Sequence, residues 1–249
     1  MNQTTTSRLI QAGFVAAVLL TWVLVTSTGL INPIFLPNPV DVMEELGQMI
    51  ADGSLWADLT ITLFELVLAY TAAVVSGTLI GFAVSTTRWS TRVFEPLFAA
   101  FFAIPIIVFY PLTVLYFGLG PESKIVHGGM FGFFPIALNT ITGFATVDRR
   151  LLLLAASMGA SPKQRFVRIL FPAALPIMIT GYRMGFILTF LSIIGSESIA
   201  SLAGLGHRIV WYAEALETPK MFAYIVIVVL LAMLLNTIVA ALELRRRGA

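Results

Sequence analysis

The sequence predicts an all-α, polytopic membrane protein with six transmembrane helices, and three observations carry that expectation. Of its 249 residues, 58% are hydrophobic and only 11% are charged, against about 25% charged in an ordinary soluble domain. So much apolar surface cannot be hidden in one core of this size, and lipid must solvate the rest. Six apolar runs, over 10–30, 58–86, 94–117, 125–146, 176–198 and 221–242, each reach the roughly 20 residues a bilayer core requires. The cations are segregated as well. Arg8, Arg88, Arg92, Arg149, Arg150, Lys163, Arg165, Arg168, Arg245, Arg246 and Arg247 fall on one set of alternate connections, and only Lys124, Arg208 and Lys220 on the other. The positive-inside rule then places both termini and the 147–175 connection in the cytoplasm.

The elements follow in order. The first run is read as a span, not a cleaved signal peptide, because it is long and no A-x-A site follows it. Segment 31–57 holds Asp41, Glu44, Glu45 and Asp52 but no basic residue. Within it, Asn38-Pro39 starts a helix whose Val40, Met43, Leu46 and Ile50 share a face suited to the membrane interface. The second, fourth and fifth runs carry Gly77/Gly81, Gly128/Gly132 and Gly181/Gly185. That small-xxx-small spacing permits close helix approach, within a subunit or between two. Pro105, Pro111 and Pro135 interrupt the third and fourth runs and free backbone groups where a cavity or a moving helix would use them. Between the last two runs, Gly206–Leu216 offers Ile209, Tyr212, Ala213 and Leu216 at helical spacing, with Trp211 and Tyr212 as interface aromatics. Residues 1–249 form a single transmembrane domain, without a soluble domain or internal repeat.

Leu151–Pro176 is the most informative connection. Ser161-Pro162-Lys163-Gln164 fits a capping box: serine at the N-cap, proline at the first helical position, glutamine three residues after the serine. With Gly159-Ala160 as a small-residue break, the segment reads as two short helices, the second stopped by Pro172 and Pro176. Lys163, Arg165 and Arg168 make it cationic. Such a built pair on the positive side presents a docking surface to something soluble.

Several kinds of chemistry are disfavoured. No G-x-x-x-x-G-K-[ST] loop occurs, so the chain does not bind ATP by that device. With no cysteine and two isolated histidines, His127 and His207, no metal site is expected. Gly195-Ser196-Glu197-Ser198 superficially suggests a serine nucleophile, but no base stands at matching depth. Charges within spans are costly unless they face protein or water. Glu197, with Ser192, Ser196 and Ser198, therefore either lines a pathway or its outer gate, or satisfies neighbouring helix ends. Glu65, near Thr60 and Thr62, is assigned a structural role, and Arg183 snorkels toward the interface. An intramembrane enzyme and a stand-alone channel or carrier stay open as alternatives at this point.

The motifs also carry a resemblance. Phe35-Leu36-Pro37-Asn38-Pro39 resembles an L-P-x-P element. Phe117-Gly118-Leu119-Gly120 with Ser123-Lys124-Ile125 resembles an F-G-L-G-x-x-x-K-I link, and 151–176 resembles the E-A-A-x-x-x-G loop. On these the chain resembles a permease subunit of bacterial ATP-binding-cassette importers, of the nitrate/sulfonate/taurine type. Leu153 stands where that family has glutamate, and Phe171 where it has leucine before the first proline. The resemblance implies the type I importer (MetI-like) transmembrane fold in the inner membrane. It also implies a second permease subunit, an extracytoplasmic solute-binding protein, and a separate ATPase that holds the ATP, so that this chain needs no cofactor. Ala155, Gly159, Ser161, Lys163, Arg165, Arg168, Pro172 and Pro176 then form the ATPase-coupling loop. Sulfonates, taurine, nitrate or small heterocycles are the implied substrates. The phenylalanine-rich third run and the lack of a cationic lining tilt the choice toward an aromatic or neutral solute.

Overall fold

The computed structural model describes the backbone of residues 3–247 and the side chains of residues 10–238 except Ala12. The side chains of Arg8, Arg245, Arg246 and Arg247 lie outside them. The described residues form helices without a strand: α1 (Gln3–Ser27), α2 (Pro39–Ala51), α3 (Ser54–Ser85), α4 (Arg88–Ala103), α5 (Tyr110–Phe117), α6 (Pro121–Ala145), α7 (Arg149–Ser157), α8 (Pro162–Arg165), α9 (Phe171–Ile199), α10 (Leu205–Glu214) and α11 (Thr218–Arg247). Starts follow local chemistry. Asn38, Thr87 and Asp148 each accept a backbone N–H in the first turn of α2, α4 and α7, which satisfies donors the helix cannot. Proline occupies the first turn of α2, α6 and α8, where its missing N–H is not needed.

Among the described residues, four helical stretches are long and apolar enough to cross a bilayer: Ser54–Ser85, Pro121–Ala145, Pro162–Ile199 and Thr218–Ile238. A fifth qualifies if α4 and the 106–117 segment are one span, bent by 77°. The interruption expected of the third run at Pro105 is thus a sharp bend between two helices. Pro105 disfavours a helical residue before it, and Ile104 is extended, with φ −74° and ψ 132°. A short 3₁₀ turn, Ile106–Phe109, then leads into α5. In the predicted 10–30 span, the apolar helical stretch is Gly13–Ser27.

Two compact units divide the described chain, Met1–Asp58 with Arg208–Leu230, and Leu59–His207 with the remainder. In the first, Trp22 donates to the Pro37 carbonyl at 3.0 Å and its ring lies 6.0 Å from Phe222. Asp58 accepts from Arg208 at 2.9 Å and from the Tyr224 hydroxyl at 3.0 Å. On α2 the buried stripe is Val42, Leu46 and Met49. The predicted face splits: Leu46 packs, while Val40, Met43 and Ile50 stay exposed.

The second unit is organised by α3, α6 and α9, and the six predicted glycines all lie at their contacts. A Cβ on Gly81 would sit 2.7 Å from the Ala137 carbonyl, and one on Gly185 2.6 Å from Ile136 and 2.9 Å from the Gly132 carbonyl. Gly77 faces Ile136, Gly128 faces Ala69 and Ile193, Gly132 faces Thr189 and Ala73, and Gly181 faces Asn139. Close approach within one subunit is therefore what the small-residue pairs provide.

Candidate functional site

Two polar constructions mark opposite ends of α9. The first is an elbow at its start. Helix α7 ends in a Schellman turn: Gly159 N–H reaches the Ala156 carbonyl and Ala160 N–H the Ala155 carbonyl, each at 3.0 Å. Gly159 takes φ +79°, a conformation any side chain would strain. The predicted capping box then forms in full, Ser161 N–H donating to Gln164 Oε1 at 2.8 Å and Gln164 N–H to Ser161 Oγ at 3.3 Å.

The prolines behave differently from expectation. Instead of stopping the helix, they are absorbed by a continuous helical stretch, Pro162–Ile199. A π-turn over Phe166–Leu170 gives the widened register, with Phe171 N–H bonded to the Phe166 carbonyl. Pro172 then falls in the first turn of α9, and Pro176 inside it. Such π-turns are accommodated where the ladder must slip around a missing donor. The elbow is consequently the exposed end of a membrane-length helix of about 57 Å at 1.5 Å per residue.

Of the elbow residues, Ala155 is buried, whereas Gly159, Ser161, Lys163, Arg168, Pro172 and Pro176 are exposed and Arg165 is half-buried. Ala155, Met158, Gly159, Gln164, Arg168 and Ile169 line an open groove of about 420 Å³. Sequence reasoning stressed the cations and missed an apolar surface. Leu151, Leu154 and Met158 recur at helical spacing on α7 and are 48%, 61% and 80% exposed, with Leu153 at 68%. Large apolar side chains clustered on an exposed face mark an interaction surface. The signal is present in the leucine run 151–154.

The second construction is a buried charge cluster at the other end of α9. Glu197 is 1% exposed. It accepts the Thr62 hydroxyl and the Gly206 N–H, each at 2.7 Å. Thr62 in turn accepts Leu205 N–H at 3.0 Å. The carboxylate thus fastens the 200–205 turn to α3 and to the start of α10. Glu65, also 1% exposed, lies 4.0 Å from Lys124 Nζ, and its carboxyl adjoins that of Glu197.

Lys124, counted from sequence as an outer-segment cation, is 1% exposed. Its ammonium donates to the Leu119 and Gly120 carbonyls at 2.8 and 3.0 Å. The Phe117–Gly120 link makes this possible, because Gly118 turns at φ +78°. Buried charges persist only when paired and hydrogen-bonded; Lys124 supplies the ion pair to Glu65, whereas the hydrogen bonds to Glu197 come from Thr62 and Gly206. His127, fully buried, sits between the Tyr110 and Phe131 rings at 5.1 and 5.3 Å. Ser192 and Ser196 are buried with unpartnered hydroxyls, so no base is poised on Ser196. Ser198 bonds back to the Ile194 carbonyl at 2.8 Å.

Comparison with known proteins decides the family. The profile of the binding-protein-dependent transport system inner membrane component matches residues 73–248, which include the elbow and the Lys124 and Glu197 ends of the charge cluster. The chain belongs to this family. As a permease component it is a multi-pass protein of the inner membrane and not itself an enzyme. It is 32% identical over 238 residues to the taurine transport system permease protein TauC of Escherichia coli (strain K12), covering 94% of this chain and 86% of that one. It is 26% identical to the putative aliphatic sulfonates transport permease protein SsuC of Bacillus subtilis (strain 168), covering 92% and 83%. To the riboflavin transport system permease protein RibX of Chloroflexus aurantiacus it is 28% identical, covering 84% and 78%. The permease also shares its fold with a chain of the inward-facing MetNI methionine ABC transporter. There the TM-score is 0.66 at 20% identity, covering 78% of this chain and 98% of the other.

Proposed function

We propose that this permease is the pathway-forming subunit of an ATP-driven importer and that its 147–175 elbow is gripped by a separate ATPase. The observation that carries the reading is the elbow's construction: a Schellman turn and a capping box hold exposed Leu151, Leu154 and Met158 beside Lys163 and Arg168. A small rigid projection with an apolar face and a cationic flank suits a cleft on a soluble partner. Because α8 continues through the π-turn into α9, closure of two ATPase subunits would tilt a membrane-length lever and alternate access to the pathway. Leu153, at the family's glutamate position, adds to the apolar face in place of an acidic contact.

In this reading the chain is a single domain with six spans, α1 and the bent α4–α5 pair included, and both termini are cytoplasmic. Two copies of the chain enclose the pathway, and an extracytoplasmic solute-binding protein delivers the substrate. Glu197, Ser192, Ser196 and Ser198 lie at the outer gate. Their bonding makes Glu197 a latch that keeps the 200–205 turn closed on α3, rather than a substrate ligand.

The substrate is a small organic anion of the sulfonate, taurine or nitrate kind, as supported by the names of the taurine and sulfonate relatives. A small heterocycle is the second reading, favoured by the riboflavin relative. Of the third-run phenylalanines behind the tilt toward an aromatic solute, Phe94 and Phe98 pack on each other and Phe98 on Phe133 and Phe134, while Phe101, Phe109 and Phe117 are exposed. Co-expression with candidate ATPases tests the proposal. A detergent-stable complex that hydrolyses ATP faster when a loaded binding protein is added is the expected result. A permease that transports alone, or purifies without any ATPase, would overturn it.

A further inference from the structure

A second cationic construction lies outside both sites. Arg88 and Arg92 of α4 and Arg149 of α7 line a cavity of about 640 Å³, floored by Phe82 and Phe144. The floor is fixed by edge-on packing of Phe82 with Phe144 at 5.1 Å and with Phe166 at 5.3 Å. None of the three guanidiniums has a hydrogen bond or ion pair among the described residues. The hydroxyls around them do have partners: Ser85 donates to the Phe82 carbonyl, Thr86 to Ala83, and Thr91 of α4 to Val84 of α3. Asp148, beside Arg149 in sequence, turns its carboxylate to the Arg150 N–H at 2.8 Å, and no acidic residue lines the cavity. The cavity is therefore lined by three cationic side chains and no carboxylate.

Its depth in the bilayer adds a second, independent indication. Two candidate spans end here, α3 at Ser85 and α6 at Ala145, so the cavity lies at one end of the spanning helices. Trp89, 70% exposed between Arg88 and Arg92 in sequence, is an aromatic anchor at the same level. Basic pockets between transmembrane helices on the cytoplasmic side suit anionic headgroups, and that leaflet carries them. We propose that this cavity binds the phosphate headgroup of an anionic phospholipid, with the three arginines as phosphate ligands. The guanidinium fork matches phosphate oxygens in pairs. The placement on the inner leaflet rests on the proposed orientation of the chain; the cavity and its charges do not.

The site joins the beginning of α4 to α7, so a bound headgroup would brace the elbow from the membrane side. Native mass spectrometry of the full-length permease, titrated with phosphatidylglycerol or phosphatidylcholine, tests the proposal. Phosphatidylglycerol should be retained at least tenfold more tightly. In R88Q/R92Q/R149Q that retention should fall by roughly a hundredfold, at about one factor of five per arginine. The charge-keeping R88K/R92K/R149K variant, which loses the fork but not the charge, should fall between wild type and R88Q/R92Q/R149Q, which separates ligand loss from misfolding. Removing the same charge elsewhere, in K163Q/R165Q/R168Q, should leave retention intact.

Millimolar inorganic phosphate should not displace the lipid; displacement at that level would assign the cavity to a free anion and overturn the lipid proposal. Equal retention of the two lipids by the wild type would also overturn it. So would R88Q/R92Q/R149Q keeping its lipid while losing its ATPase, which would make the cavity part of the docking surface. Failure of ATPase copurification with lipid retention intact would strike only the importer reading.

Discussion

Replacing Glu197 separates capping from charge at the buried cluster. Glu197→Ala leaves the Gly206 N–H buried without an acceptor, at a cost of about 1–3 kcal/mol. Thr62 loses its 2.7 Å acceptor but keeps the Leu205 N–H at 3.0 Å, which limits its share to about 0.5–1.5 kcal/mol. The expected loss is therefore roughly 2–4 kcal/mol. Glu197→Gln keeps one carbonyl oxygen for Gly206 and turns its NH₂ to Thr62 Oγ. It should cost only about 1 kcal/mol if capping is the dominant role. If the charge opposite Lys124 dominates instead, Gln should fall close to Ala. Reversible unfolding in mixed detergent measures both, and amide exchange at Gly206 reports the local opening directly. Unfolding free energies within about 0.5 kcal/mol of wild type for both variants, a difference within the ordinary range for surface substitutions, would refute the latch.

Substitutions at four further positions have defined outcomes. Gly81→Ala places a Cβ 2.7 Å from the Ala137 carbonyl and should cost about 1–3 kcal/mol as α3 and α6 are forced apart. Gly47→Ala, with nothing within 4 Å, should be neutral or stabilising in the same unfolding assay. Asp58→Ala removes the acceptor of both Arg208 and the buried Tyr224 hydroxyl and should destabilise by about 1–3 kcal/mol, with Asp58→Asn milder. Gly159→Pro forbids the φ of +79°. It should leave membrane insertion at wild-type levels while abolishing ATP-driven uptake in vesicles. Normal uptake by that variant would remove the elbow from the coupling path.

What was legible in the sequence was what is decided locally. The Ser161–Gln164 box, the Gly159 turn and the Asn38 cap rest on residues two to five apart, and each appears as expected. The apolar runs gave the helices, since length and composition suffice for that. Direction of packing was not legible. Val40, Met43, Leu46 and Ile50 were placed on one interfacial face, yet only Leu46 of these is buried, with Val42 and Met49, because apolar residues occupy both sides and only tertiary contact chooses. Lys124 looked like an ordinary outer-loop cation, since its carbonyl partners and Glu65 are brought to it by the fold. Glu197 and Thr62, 135 residues apart, likewise carry no joint signal in one sequence. Pro105 announced a break but not its 77° angle, and Pro172 and Pro176 looked like stops because a π-turn that accommodates them has no local signature.

Site-specific photo-cross-linking in native vesicles tests the coupling claim most directly. A benzophenone placed at Met158, then separately at Lys163, should give adducts with an ATP-hydrolysing subunit, strengthened or weakened by nucleotide. The same probe on the α10 surface at Trp211 should give none. Adducts only with lipid or with a second permease from both elbow positions would contradict docking of the elbow in a motor subunit.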